Sequence, residues 1–204
     1  MRSEHAYASC GLRRCRWCHG RLARRLWQRQ GVRGGSKTTD SAKKGDAIKV
    51  GLLLPENQTA RYEKFDRPLI EKKVKELTNG KAQVVYANAK QDASTQNQQV
   101  DTMITNKVDV LIVDAVDTAA IKSSVQKAKD AGIPVVAYDR LAQGPISAYT
   151  SFDNETVGKT QGEALLKALG SKAKSGKIVM MNGSITDPNA AQFKKAPTRC
   201  STAR

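Results

Sequence analysis

The chain has 204 residues, 39% of them hydrophobic and 26% charged, and a formal net charge of +16. That length accommodates one or two domains with a real core, and the composition excludes a disordered polymer. No apolar run approaches the ~18 residues that a membrane-crossing helix requires.

The charge is unevenly placed. Nine arginines and one acid, Glu4, lie between residues 2 and 33, whereas residues 47–195 hold only Arg61, Arg67 and Arg140 among lysines interspersed with acids. Both tryptophans, both histidines and three of the four cysteines share that head, and Cys200 sits in an equally atypical tail. The chain therefore divides into a head (1–35), a small polar linker (36–46), a body (47–195) and a tail (196–204). The body has no cysteine, so its core needs no disulfide or metal staple.

Within the body, strand and helix signals alternate. Residues 48–54 are an apolar run of strand length, and 61–78 carry helical periodicity through Phe65, Leu69, Val74 and Leu77 before Asn79 and Gly80. A second strand is expected at 83–87, then a helix at 95–106 with Val100, Met103 and Ile104 on one side. Residues 108–113, apolar apart from Asp109, read as a buried parallel strand. A helix at 119–131 is closed by Gly132, a fourth strand follows at 134–138, and 149–152 is a short extended piece. The helix at 156–169 stops at Gly170, and a further strand is expected at 177–181. This alternation predicts an α/β fold, a doubly wound parallel sheet with helices on both faces.

Open parallel sheets bind ligands beyond the carboxyl ends of their strands. That rule selects the segment 55–60 with Arg61 after the first strand, Asp114 and Asp117 after the third, and Asp139 with Arg140 after the fourth. After the last strand it selects Asn182, Asp187 and Asn189. Carboxylates beside guanidinium and amide donors suit adjacent sugar hydroxyls, each of which both donates and accepts. Tyr62 is the nearby aromatic that could face a pyranose ring. The alternative for Asp139 and Arg140 is a polar loop start or a surface ion pair. The body has no histidine for a nucleophile–base system and no Gly-rich phosphate loop after the first strand. An enzyme is therefore the weaker class, and no catalytic, cofactor-binding or metal-binding residue is assigned.

The segments IKVGLLLPENQTARYEKFDRP, VDVLIVDAVDT, AGIPVVAYDRL, SFDNETVGKTQGEALLKAL and GKIVMMNGSITDPNAAQFKK resemble the periplasmic sugar-binding proteins of ABC importers. The nearest branch is the D-xylose-binding group within the ribose- and galactose-binding superfamily. The resemblance covers 47–195, and the Asp139-Arg140 dipeptide is its sharpest element. It implies a type I binding-protein fold, in which two α/β lobes on a hinge close over a monosaccharide without covalent chemistry. It places Arg61, Asp139 and Arg140 in a first lobe (47–150), and Asp187 and Asn189 in the start of a second (151–195), with the hinge crossing at 149–154. It also implies a monomer working outside the cytoplasmic membrane, with a xylose-like ligand, a membrane permease as partner and no nucleic acid. The second lobe stops after a helix, a strand and the start of another helix. Weak or absent sugar binding and an exposed apolar edge are expected.

The head and tail fit none of this. Cys15, Cys18 and His19 form the C-x-x-C-H pattern of c-type haem attachment, without an accompanying export signal or haem fold. Adding Cys10 gives a crowded zinc set that lacks the usual second pair. Arg24 and Arg25 precede LWQRQGVRGG, which supplies no apolar region for a twin-arginine export signal. Out-of-frame translation of both ends accounts best for them. One base restored after Lys195 turns the Cys200 codon, and a TCN codon for Ser201, into apolar residues about two turns beyond Phe193. Two other readings compete: a basic arm touching nucleic acid or acidic surfaces, and a fragment of a sugar-responsive regulator. The latter would need a helix-turn-helix that residues 10–33 do not encode.

Overall fold

The computed structural model describes residues 47–175 and 177–202. The readings made on the head and linker lie outside them. Five strands form one sheet: β1 (Lys49–Leu54), β2 (Gln83–Asn88), β3 (Val110–Val113), β4 (Val135–Tyr138) and β5 (Ala148–Thr150). Their order is β2-β1-β3-β4-β5 and every pair is parallel. β1 lies between β2 and β3, with Leu52 opposite both Tyr86 and Ile112. Its residues from Val50 onward are buried, as a strand covered on both faces requires.

Among the described residues, five α-helices accompany the sheet: α1 (Arg67–Leu77), α2 (Ala93–Thr105), α3 (Lys122–Asp130), α4 (Asn154–Leu169) and α5 (Pro188–Thr202). Leu53, Leu111, Val113 and Val135 pack with Val100 and Met103 of α2 and Val125 and Ala128 of α3 on one face. On the other face Leu52 and Leu54 meet Tyr62 and Ile70, beside Ile112. Gly51 lets α2 approach this sheet. A Cβ there would lie 2.8 Å from the Leu111 Cδ1 and 3.3 Å from the Met103 sulfur.

Three differences from the expected elements have physical causes. The helix expected from residue 61 opens as a wide π turn over Tyr62–Asp66 before α1, next to Pro68, which has no N–H for a regular ladder. The extended piece near 149 is a true sheet strand, since β5 pairs with β4 through Ala137 opposite Tyr149. Residues 177–181, expected as a strand, form none, and Val179 and Met181 are 87% and 94% exposed. Their composition favours a strand, but a strand exists only through ladder bonds to a neighbour, and none of the described strands lies beside them.

Beyond β5, Asp153 caps α4, its Oδ1 accepting from the Thr156 N–H at 3.0 Å. α4 and α5 meet at Gly158, where an added Cβ would come within 2.4 Å of the Phe193 carbonyl oxygen. The α5 backbone continues past Lys195 to Thr202. Among the described residues, no helix is long and apolar enough to cross a membrane.

Candidate functional site

The carboxyl ends of β1, β3 and β4 bring together residues that are far apart in sequence. Arg61 follows the β1 loop and donates from Nη2 to the Asp139 Oδ2 at 2.6 Å and from Nε to the Asp66 Oδ2 at 2.7 Å. Burial alone would lower the Arg61 guanidinium's pKa, but hydrogen bonding to Asp66 and the charge of Asp139 outweigh it and raise it. Its position depends on Glu56, which is buried in the same loop. The Glu56 Oε2 accepts from the Gln58 N–H at 2.6 Å and the Thr59 N–H at 2.9 Å. Burial pushes the Glu56 carboxyl up, yet those bonds from Thr59 and Gln58 hold it below its ordinary value.

Asp139 ends β4 with φ +59°, in the left-handed region that an aspartate tolerates better than most residues. Three partners fix it there. Its N–H donates to the Thr150 carbonyl at 2.8 Å, its carbonyl accepts from the Tyr149 hydroxyl at 3.1 Å, and its Oδ1 accepts from the Asn189 Nδ2 at 3.0 Å. With the turn so held, Asp139 meets Arg61 and the adjacent Arg140 meets Asp187. Such sparsely populated conformations persist where surrounding contacts over-determine them.

The Arg140 Nε lies 3.1 Å from the Asp187 Oδ2 and 3.8 Å from the Asp114 Oδ1. Burial acts to lower its pKa, but Tyr62, Asp114, Asp187 and Asp139 together raise it, so it remains a cation. Asp187 also caps the start of α5, its Oδ1 accepting from the Asn189 N–H at 2.8 Å. Asn189 is buried, and its Oδ1 accepts from the buried Asn154 Nδ2 at 3.0 Å. The loop before α5 thus lies across the end of β3. The Thr118 N–H donates to the Thr186 carbonyl at 3.3 Å, and the Thr186 hydroxyl donates to the Val116 carbonyl at 3.4 Å.

All five residues expected at the site, Arg61, Asp139, Arg140, Asp187 and Asn189, therefore fall in one connected network. Asp114, also on the rim, joins it through Arg140 at 3.8 Å, whereas Asp117 and Asn182 do not. The Asp117 Oδ1 accepts from the Ala119 and Ala120 N–H groups as a helix-start cap, and Asn182 lines a separate apolar cleft with Ile178, Met180 and Phe193. The Tyr62 ring is only 4% exposed and carries the Arg61 guanidinium 5.0 Å from its centroid, so it offers no open face. Asp66 and Asn154 were not among the expected residues. Asp66 lies five positions beyond Arg61 and reaches it only through the π turn, while the role of Asn154 depends on a contact 35 residues away. Among the described residues, no cluster of His, Cys, Asp or Glu could hold a metal ion.

Guanidiniums, carboxylates and an amide thus converge at the carboxyl edge of the sheet. A family model described as "Periplasmic binding protein domain" matches residues 50–198. The chain belongs to that family. It is 34% identical over 157 residues to the D-xylose-binding periplasmic protein of Escherichia coli K12, spanning 76% of this chain and 45% of that protein. It is 35% identical over 148 residues to the multiple sugar-binding periplasmic receptor ChvE of Rhizobium radiobacter, spanning 71% of this chain and 41% of that one. A solved ABC transporter solute-binding protein of Clostridium phytofermentans with bound β-D-glucose superposes with a TM-score of 0.66 at 29% identity. That match covers 74% of this chain and 47% of the solved one. The periplasmic binding protein domain here thus spans less than half the length of these relatives, and its five-stranded parallel sheet is the type I fold of the family.

Proposed function

We propose that this chain carries the sugar-gripping part of the substrate-binding component of an ABC-type monosaccharide importer, with a xylose-like sugar as ligand. One observation carries the reading. Asp139 and Arg140 on one wall meet Asn189 and Asp187 on the other, at 3.0 and 3.1 Å, and Arg61 joins them through Asp139 at 2.6 Å. In this reading residues 47–150 are the first lobe and 151–195 the start of the second, and the hinge runs through 149–154, between β5 and α4. Sugar hydroxyls replace part of the direct contact between walls: Arg140 and Arg61 donate to ring hydroxyls, while Asp139 accepts from them. Capture is by hydrogen bonding and closure, with no bond made or broken. The relatives are binding proteins, which agrees with a chain that does no catalysis. They are also periplasmic, which supports work outside the cytoplasmic membrane; in this reading the chain is a monomer that delivers sugar to a membrane permease.

For a chain that spans less than half the length of its relatives, affinity is expected in the range of about 1 mM, near −4 kcal/mol. Saturation-transfer NMR with D-xylose reads binding at that strength. The expected result is transfer to the sugar protons by the full chain, lost in Asp139→Ala and in Arg140→Ala. Transfer unchanged in both variants, or no transfer from any pentose or hexose, would remove the reading.

A further inference from the structure

Asp114 stands apart in the site. It ends β3 with no exposed surface, and neither carboxylate oxygen makes a hydrogen bond within the protein. Its backbone cannot move away, because its N–H donates to the Leu53 carbonyl at 3.0 Å and its carbonyl accepts from the Gln96 Nε2 of α2 at 2.8 Å. The nearest cation is the Arg140 Nε at 3.8 Å, and that group is nearer to Asp187, at 3.1 Å.

The charges around it do not balance. Arg61 and Arg140 are the two guanidiniums, facing the four carboxylates of Asp66, Asp114, Asp139 and Asp187. Asp66 and Asp139 share Arg61, and Asp139 also accepts from Asn189. Asp187 has Arg140 and the Asn189 N–H. Glu56, in the β1 loop, is held ionised by its own hydrogen bonds. Tyr62 stays neutral, because burial raises its phenol. Asp114 is the carboxylate left without a hydrogen bond, and it is covered where the loop before α5 crosses the end of β3.

We propose that Asp114 couples closure of this site to the uptake of one proton, so that sugar capture strengthens as pH falls. The inference rests on the sugar-binding reading. Closing the second wall over the first removes Asp114 from water beside Asp139 and Asp187, and a neutral sugar brings no cation to compensate. The closed state therefore favours the protonated carboxyl, and the open state, in contact with water, tolerates the ionised one. The proton comes from solvent and stays on the Asp114 carboxyl. Protonation also leaves the Arg140 guanidinium to the ligand and Asp187. Burial first, and the charge of Asp139 second, push this carboxyl well above the ordinary carboxylate range, in the same direction.

The test is calorimetric titration of the full chain with D-xylose between about pH 5 and pH 9, in buffers of differing ionisation enthalpy. Wild type is expected to take up close to one proton on binding over part of that range, with affinity falling by up to about tenfold per pH unit there. Asp114→Asn, which is neutral at every pH, is expected to bind with a flat profile and no proton uptake. The carboxyl ¹³C shift of Asp114, read with and without sugar, reports its protonation directly even if the variant fails to fold. Sugar binding without proton uptake, a pH slope unchanged in Asp114→Asn, affinity rising with pH, or a folded Asp114→Asn that binds nothing would each overturn the inference and leave the sugar-binding reading standing. Absence of binding by wild type at every pH would overturn both.

Discussion

The sheet-bearing part of the molecule and the helical part beyond residue 151 treat their apolar residues in opposite ways. In the first, Leu53, Leu111 and Val113 are enclosed between β-strands and α2 and α3. In the second, Val179 and Met181 stand in water although their segment is just as apolar. Helices satisfy their own backbone groups, so α4 and α5 form and pack on each other. A parallel strand must borrow its partners from neighbouring segments, and residues 177–181 have none among the described strands. Local sequence is thus sufficient for the second part's helices and insufficient for its strand.

The contrast can be tested by truncating equivalent apolar residues. Leu111→Ala removes a fully buried side chain and should destabilise the fold by about 2–5 kcal/mol in urea unfolding. Gly158→Ala forces a Cβ against the Phe193 carbonyl and should cost about 1–3 kcal/mol. Hydrogen exchange should accelerate in α4 and α5 and leave β1 and β3 protected, because the lesion lies outside the sheet. Equal acceleration in both parts would mean that they unfold as one unit.

Asp114 gives an effect of intermediate size. Its folded carboxyl is raised by burial, so its favourable contribution is present below the ordinary carboxylate range near pH 4 and is lost as pH rises through its raised value. With D-xylose present to hold the site closed, wild type should therefore lose thermal stability relative to Asp114→Asn as pH increases, a gap that parallel melting series would show. A constant gap would mean that Asp114 is not the titrating group. The smallest effect belongs to Val179→Ala, which should stay within about 0.5 kcal/mol because the side chain is 87% exposed.

The same distinction explains what could be read from the residues in order. β1 to β4 and α2 to α4 were legible within a few residues, because apolar periodicity and Gly132 and Gly170 mark them locally. Arg61, Asp139 and Arg140 were legible by position, since the sheet's carboxyl edge is implied by strand order. The left-handed turn at Asp139 was not, because it depends on Thr150, Tyr149 and Asn189 together. Asp114 could be placed on the rim, but its enclosure comes from residues about 70 positions later in the chain, a distance over which periodicity carries no signal. Residues 177–181 misled for the complementary reason: strand composition was present and the neighbour was not.

The most direct test of the account is an NMR titration of the arginine Nε–H signals with D-xylose. Arg61 and Arg140 lie in the proposed site, whereas Arg67 is paired with Glu71 at 2.9 Å and Glu63 at 3.4 Å outside it. The Arg61 and Arg140 signals are expected to shift with sugar while Arg67 stays fixed. Shifts at all three alike, or at Arg67 alone, would contradict the account.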